Sequence, residues 1–291
     1  IEALEARGYT ITSIAGCSMG SIIAGMYAAG ELKKAKDWFL QVDKQLILRM
    51  MDINLFSGNS LVKGQKIILE LQKVVPDRPI EQLNIPCTIV ASDMMNTEQV
   101  LFRTGSLFEA VRASISIPLF FQPVQIGHRL LIDGGILNPL PLHSVERTEG
   151  DILVAMDISG KDSMPTGEMP EPIDVDGKIA AIEAKGFDVP EGLEKQLHQL
   201  GKKVDEVRTK RAADLGRTVN FVKMLDRMSD MQIQQNTLLA LHLTPPDIHA
   251  VMRQYAYNTF DFDKAEEIIE QGGVLMNQAL DEYENKLSQE P

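Results

Sequence analysis

Hydrophobic positions along the chain switch between a strand period and a helix period. After Gly8, the run Tyr9 to Ala15 carries Thr10, Ile11, Thr12 and Ile14 and reads as a buried strand. Met19 to Ala29 is rich in Ala and Ile and stops at Gly30, the pattern of a helix with a glycine just past its end. Ile1 to Gly8 reads as the closing turns of an earlier helix. Residues 31–50 and 61–74 predict further helices, with Leu40, Ile47 and Leu48 on one face of the first and Leu61, Ile67, Ile68 and Leu71 on one face of the second. Phe56 to Ser60 between them predicts a loop. Strands are expected at Cys87 to Ala91, Gln99 to Arg103, Val124 to Ile132 and Asp151 to Met156, with a short helix near Leu107 to Ala113. Strands interleaved with helices predict an α/β protein whose central sheet is mostly parallel and covered on both faces.

The pattern changes after about residue 160, which divides the chain into a core over residues 1–160, an insertion over 161–215 and a closing segment over 216–291. The insertion is strongly charged, with Phe187 its only aromatic residue. Leu193, Leu197, Leu200, Val204 and Val207 alternate steps of four and three, the spacing of a helix with a narrow apolar stripe. Such a helix either lies on its own domain or serves as a lid or partner-binding element. The closing segment predicts a helix at Val219 to Met231, a strand at Asp247 to Met252 and an amphipathic helix at Asp263 to Leu287.

Composition narrows the function classes. The chain has 291 residues, 44% hydrophobic and 24% charged, as expected of a folded globular protein. With 29 Lys and Arg against 41 Asp and Glu, the net charge of -12 repels nucleic acid. No apolar run approaches the roughly 20 residues that cross a bilayer. The expected location is therefore cytoplasmic or peripheral at a membrane, with any targeting signal lying before Ile1. Cys17 and Cys87 lack metal-ligand spacing. Asp93 and Asp157 follow strands without His or Glu at ligand spacing, so turn and capping roles are expected of them. Neither a cofactor nor a metal is expected, and the oligomeric state stays open.

The chemistry concentrates in two short motifs. Gly16-Cys17-Ser18-Met19-Gly20 fits G-x-S-x-G between a predicted strand and a predicted helix. A sharp turn there lifts the Ser18 hydroxyl out of the sheet, and the helix beginning at Met19 directs free N–H groups and a partial positive charge toward it. The plainer reading is that Ser18 caps the helix. A serine nucleophile needs a base. His128, His143, His198, His242 and His249 form no recognisable catalytic pattern. Asp133 is the better partner, because it ends a predicted strand and precedes Gly134-Gly135, which leaves its carboxylate at the sheet edge where α/β active sites lie. Its own plainer reading is a turn aspartate. Ile117, Leu119, Phe120 and Phe121 are candidates for an apolar wall that raises its pKa and receives an acyl chain.

Taken together, Gly-Cys-Ser-Met-Gly and Asp133-Gly-Gly-Ile-Leu-Asn-Pro139 resemble the patatin-like phospholipase family, in the form of its bacterial members. Ala110-Val-Arg-Ala-Ser114, Pro118 and Phe121-Gln-Pro-Val124 are similar to the stretch that precedes the aspartate in that family. The resemblance covers Ile1 to about Gly160 and resumes after Arg217. It implies a three-layer α/β/α fold and a lipid acyl hydrolase of the phospholipase A or lysophospholipase type, with Ser18 as nucleophile, Asp133 as base, the Met19 N–H as an oxyanion donor, and no catalytic histidine. Gly16, Gly20, Gly134 and Gly135 are the motif glycines. The substrate it implies is a lipid or other ester, with peripheral membrane contact. It also implies a Gly-rich oxyanion loop upstream of Ile1, which this chain starts too late to include, so an inactive fragment is one alternative expectation. A non-catalytic scaffold on the same sheet and a hydrolase assisted by His143 or His249 are the others.

Overall fold

The computed structural model describes residues 1–50, 62–160, 221–259 and 261–289. Contacts divide the chain into two units, Ile1–Asp162 with Met228–Pro291, and Ser163–Arg227. The insertion, its Leu193 to Val207 stripe and the Phe56 to Ser60 loop lie outside the described residues.

The first unit is an α/β protein, as its interleaved periods predict. Its larger sheet holds β1 (Ile14–Cys17), β2 (Cys87–Asp93), β3 (Glu98–Phe102), β4 (Val124–Ile126) and β5 (Arg129–Asp133). Strand directions are mixed: β1 runs parallel to β2, whereas β3 and β5 run antiparallel to β2 and β4 antiparallel to β5. A second, two-stranded sheet pairs β6 (Val154–Gly160) parallel to β7 (Ile248–Arg253). Every residue of β2 is buried, which fits its central place and its apolar run Ile89-Val-Ala91.

One register decides where the site forms. Residues Ile89–Asp93 of β2 pair with β3 along one edge. The other edge is shared end to end: β1 takes it up to the Cys17–Val90 pair, and β5 takes it from the Ala91–Asp133 pair onward. Since β1 is parallel to β2 and β5 antiparallel, the two strands point at each other and stop over adjacent residues of β2. Ser18 follows the end of β1, and Asp133 is the end of β5.

Several elements differ from their predicted bounds for local reasons. The strand predicted at Tyr9 to Ala15 pairs only over Ile14–Cys17, because β2 begins after Pro86, which has no N–H to extend the ladder. The stretch Val124 to Ile132 is a hairpin of two strands, turning at Gly127, whose φ of +60° suits a residue without a side chain. Residues 31–50 form two helices, α3 (Leu32–Phe39) and α4 (Lys44–Met50), and the helix predicted to end at Met231 runs as Phe221–Leu243.

Helices α2 (Met19–Ala28), α5 (Gln65–Val74) and α6 (Leu107–Ser114) bury Ile22, Met26, Leu71, Leu107 and Phe108 together with Ile89 of β2 in the main core. Each such side chain contributes about 1.5–3 kcal/mol on burial. A separate cluster joins Leu4 of α1 (Glu2–Ala6) to Ile248, Met276 and Leu280, under the helix Ala265–Gln289. Arg7 adds ion pairs to Asp281 and Glu284 at 2.6 and 2.8 Å, so the start and the end of the described chain are held together.

Candidate active site

The turn after β1 is built from close backbone approaches. A Cβ on Gly16 would lie 2.2 Å from the Gly20 carbonyl oxygen and 2.8 Å from Ala24 Cβ, so only glycine lets α2 start this near the strand. Gly134 is constrained in the same way, since a Cβ there would meet the Val90 carbonyl oxygen at 2.3 Å. Gly20 has open space around the Cβ position and is exposed, so protein packing does not demand glycine there. A Cβ on Gly135 would stand 3.0 Å from Asp133 Oδ1 and press on the carboxylate.

Ser18 sits between β1 and α2 at φ 51° and ψ -125°, outside the regions that L-residues ordinarily occupy. Its side chain does not cap α2, contrary to the plainer reading of the sequence. Instead, Ser18 Oγ donates a 2.6 Å hydrogen bond to Asp133 Oδ2. Ser18 N–H donates to Ser114 Oγ at 2.9 Å, and the Ser18 carbonyl accepts from Ser21 Oγ at 2.6 Å. Met19 is the first residue of α2, so its N–H has no carbonyl a turn earlier within the helix.

Asp133 is 6% exposed. Its Oδ1 accepts the Gly135 N–H at 2.7 Å and its own N–H donates to the Ser116 carbonyl at 3.0 Å, which fix the carboxylate in orientation and the chain in position. Burial pushes its pKa up from the ordinary 3.8 to about 6, and the hydrogen bonds from Ser18 and Gly135 oppose that rise. Burial, followed by the charge of Asp133, also holds the neighbouring Cys17 thiol well above its usual range. Cys17 therefore stays protonated and unreactive at neutral pH. From the other side, Asn236 Nδ2 donates to the Ile136 carbonyl at 2.8 Å, which braces the turn that follows Asp133.

Sequence reasoning placed Ser18, Met19, Asp133 and the four motif glycines, and the structure brings them to one place. The imidazoles go elsewhere. His143 Nε2 is 3.2 Å from Gln99 Nε2, and His249 Nε2 is 3.5 Å from Asp157 Oδ2. His128 and His242 are exposed, and His198 lies outside the described residues. The apolar wall is not formed as a block: Phe121 is buried beside Gly64 and Arg112, while Leu119 is exposed at φ 72°. Asp93 accepts from Met95 N–H and Asn96 Nδ2, and Asp157 from Ser159 N–H and Oγ, so both carboxylates close turns. Ser21 and Ser114 were missed. Ser114 stands in the stretch that resembles the family before the aspartate, and Ser21 one helical turn after Ser18, but nothing in either position marks a hydroxyl that holds the Ser18 backbone.

Comparison with known proteins gives the family of the segment that carries these residues. The sequence profile of the patatin-like phospholipase family matches residues 1–145. An uncharacterised NTE family protein of Mycobacterium bovis is 39% identical over 165 residues, covering 57% of this chain and 46% of the relative, and one of Mycobacterium tuberculosis matches to the same extent. The human patatin-like phospholipase domain-containing protein 6 is 28% identical over 170 residues, 56% of this chain but 12% of that protein. The chain thus spans less than half the length of these relatives. Residues 1–145 hold both motifs and every strand of the larger sheet, and through them the chain belongs to the patatin-like phospholipase family.

Proposed function

We propose that the full-length protein is a serine acyl hydrolase of lipid carboxylic esters, of the phospholipase A or lysophospholipase type, working through a dyad of Ser18 and Asp133. The observation that carries the reading is the 2.6 Å hydrogen bond from Ser18 Oγ to a buried carboxylate at the end of the facing strand. The strained turn at Ser18 acts as a nucleophile elbow. The family match and the printed name of the human relative motivate the lipid substrate.

In the reaction, Ser18 Oγ attacks the ester carbonyl carbon while its proton passes to Asp133 Oδ2. Charge develops on the former carbonyl oxygen, and the Met19 N–H at the start of α2 donates to it. The tetrahedral intermediate then collapses: the ester C–O bond breaks and the departing alkoxide takes the proton from Asp133. Water attacks the acyl-Ser18 ester next, giving a proton to Asp133 as its C–O bond forms. The bond from the acyl carbon to Ser18 Oγ then breaks, that oxygen takes the proton back from Asp133, and the fatty acid leaves. No imidazole takes part.

Turnover of a short-chain nitrophenyl ester by the full-length protein tests the reading. Ser18→Ala and Asp133→Asn should each lower kcat by about 10³-fold or more, as removal of a nucleophile or its base does elsewhere. His143→Ala and His249→Ala should stay within about threefold of wild type. No turnover by the wild-type protein would favour the scaffold reading. Activity lost with either imidazole would favour a histidine-assisted hydrolase.

A further inference from the structure

The backbone of Ser18 is gripped on both sides by buried hydroxyls. Ser114, the last residue of α6, accepts the Ser18 N–H on its Oγ at 2.9 Å and donates its own proton to the Val90 carbonyl of β2 at 2.6 Å. Ser21, in the first turn of α2, donates its Oγ proton to the Ser18 carbonyl at 2.6 Å, and its N–H donates to the same carbonyl at 2.9 Å. Both side chains are 0% exposed. The three bonds made to Ser18 all act on its main-chain atoms, which leaves its Oγ to face Asp133.

Ser114 is not explained by helix formation or by core packing, whereas the Ser21 hydroxyl makes the bond to the carbonyl three residues back that is common in a first helical turn. Buried serine is a poor helix-interior residue, and its hydroxyl usually bonds back to its own helix. Ser114 instead ends a helix whose Ala110, Val111, Arg112 and Ala113 are buried with it, and spends its hydroxyl between the turn at Ser18 and strand β2. Alanine would fill the same space. What alanine lacks is the means to hold a backbone conformation that costs about 1–3 kcal/mol to maintain.

We propose that Ser114 and Ser21 are positioning residues, a two-hydroxyl clamp that anchors the Ser18 backbone to β2 and to α2 and thereby aims Ser18 Oγ at Asp133. The proposal rests on the dyad reading given above. If one hydroxyl is removed, Ser18 relaxes toward ordinary φ and its oxygen moves off the line to the carboxylate. A displacement of about 1 Å at a reacting atom costs about 10²-fold in rate. Substrate binding does not depend on that line, so the loss falls on kcat and spares KM.

The test measures the rate of fluorophosphonate labelling at Ser18, read by mass spectrometry, and the kinetics of ester turnover, both on the full-length protein. Ser114→Ala and Ser21→Ala should each slow labelling and kcat by about 10- to 100-fold with KM within about twofold. Ser114→Cys keeps the core filled with a near-isosteric but weakly accepting group, and should slow in the same way even where the alanine variant folds poorly. Ser106→Ala is the stability control. It removes the cap at the other end of α6, where Ser106 Oγ accepts the Glu109 N–H at 3.0 Å, and should label within about threefold of wild type despite a lower Tm. Wild-type labelling by Ser114→Ala and Ser114→Cys, or an equal slowing in Ser106→Ala, would overturn the clamp alone. A wild-type protein that does not label at all would overturn the dyad and the clamp together.

Discussion

A carboxylate with an ordinary pKa of 3.8 is a weak base at neutral pH, and burial is what strengthens Asp133, to a pKa of about 6. The same burial bears on stability, with a definite sign. Between about pH 4 and pH 6 the native protein keeps a proton that the unfolded chain has released, so stability is full at low pH and falls as pH rises through the native pKa. Asp133→Asn removes that dependence. It should therefore be more stable than wild type above pH 7, by on the order of 3 kcal/mol, and the difference should shrink toward zero near pH 3. Urea denaturation of the two proteins from pH 3 to pH 8 measures this, and an asparagine variant less stable than wild type at pH 8 would contradict it. Ser18 and Asp133 were legible in the sequence because each lies in a motif beside a predicted strand end. The roles of Ser21 and Ser114 were not, because a serine one helical turn along is commonplace and a hydroxyl 96 residues away that acts on the backbone needs no fixed spacing from it.

Among the elements, the decisive arrangement is β1 and β5 meeting end to end on one edge of β2. The hydrophobic pattern revealed both segments but not this meeting, which depends on β5 returning antiparallel out of the hairpin at Gly127. A single strand over Val124 to Ile132 would have run the other way for half its length. The glycines beside the junction differ in what they do, and substitution should separate them. Gly16→Ala and Gly134→Ala force a Cβ to 2.2 and 2.3 Å from backbone oxygens, so each should destabilise by about 1–3 kcal/mol or more. Gly20→Ala meets nothing within 4 Å and should fold with nearly wild-type stability. Thermal melts of the three variants check this, and equal losses in all three would mean that the close approaches are not what fixes the turn.

For the molecule as a whole, stability and chemistry rest on different clusters. Leu280 is fully buried in the apolar cluster that joins Leu4 to Ile248 and Met276, apart from the residues around Ser18. Leu280→Ala should cost about 2–5 kcal/mol of stability while leaving kcat/KM of the folded protein within about twofold of wild type. Among the described residues no helix is long and apolar enough to cross a membrane. A chain of net charge -12 is repelled by anionic surfaces. Turnover of a lipid ester should accordingly be faster on zwitterionic than on anionic vesicles at low salt, with the gap closing as salt screens the field. Faster turnover on anionic vesicles would point to a local basic surface that outweighs the total charge.

The pH dependence of fluorophosphonate labelling at Ser18 bears most directly on a serine activated by a carboxylate alone. The labelling rate should rise through an apparent pKa of about 6, level off above it and keep that profile in His143→Ala and His249→Ala. In Asp133→Asn it should fall by about 10³-fold or more with the acid limb gone. Labelling of Asp133→Asn at the wild-type rate, or an acid limb that disappears with either imidazole, would contradict the account.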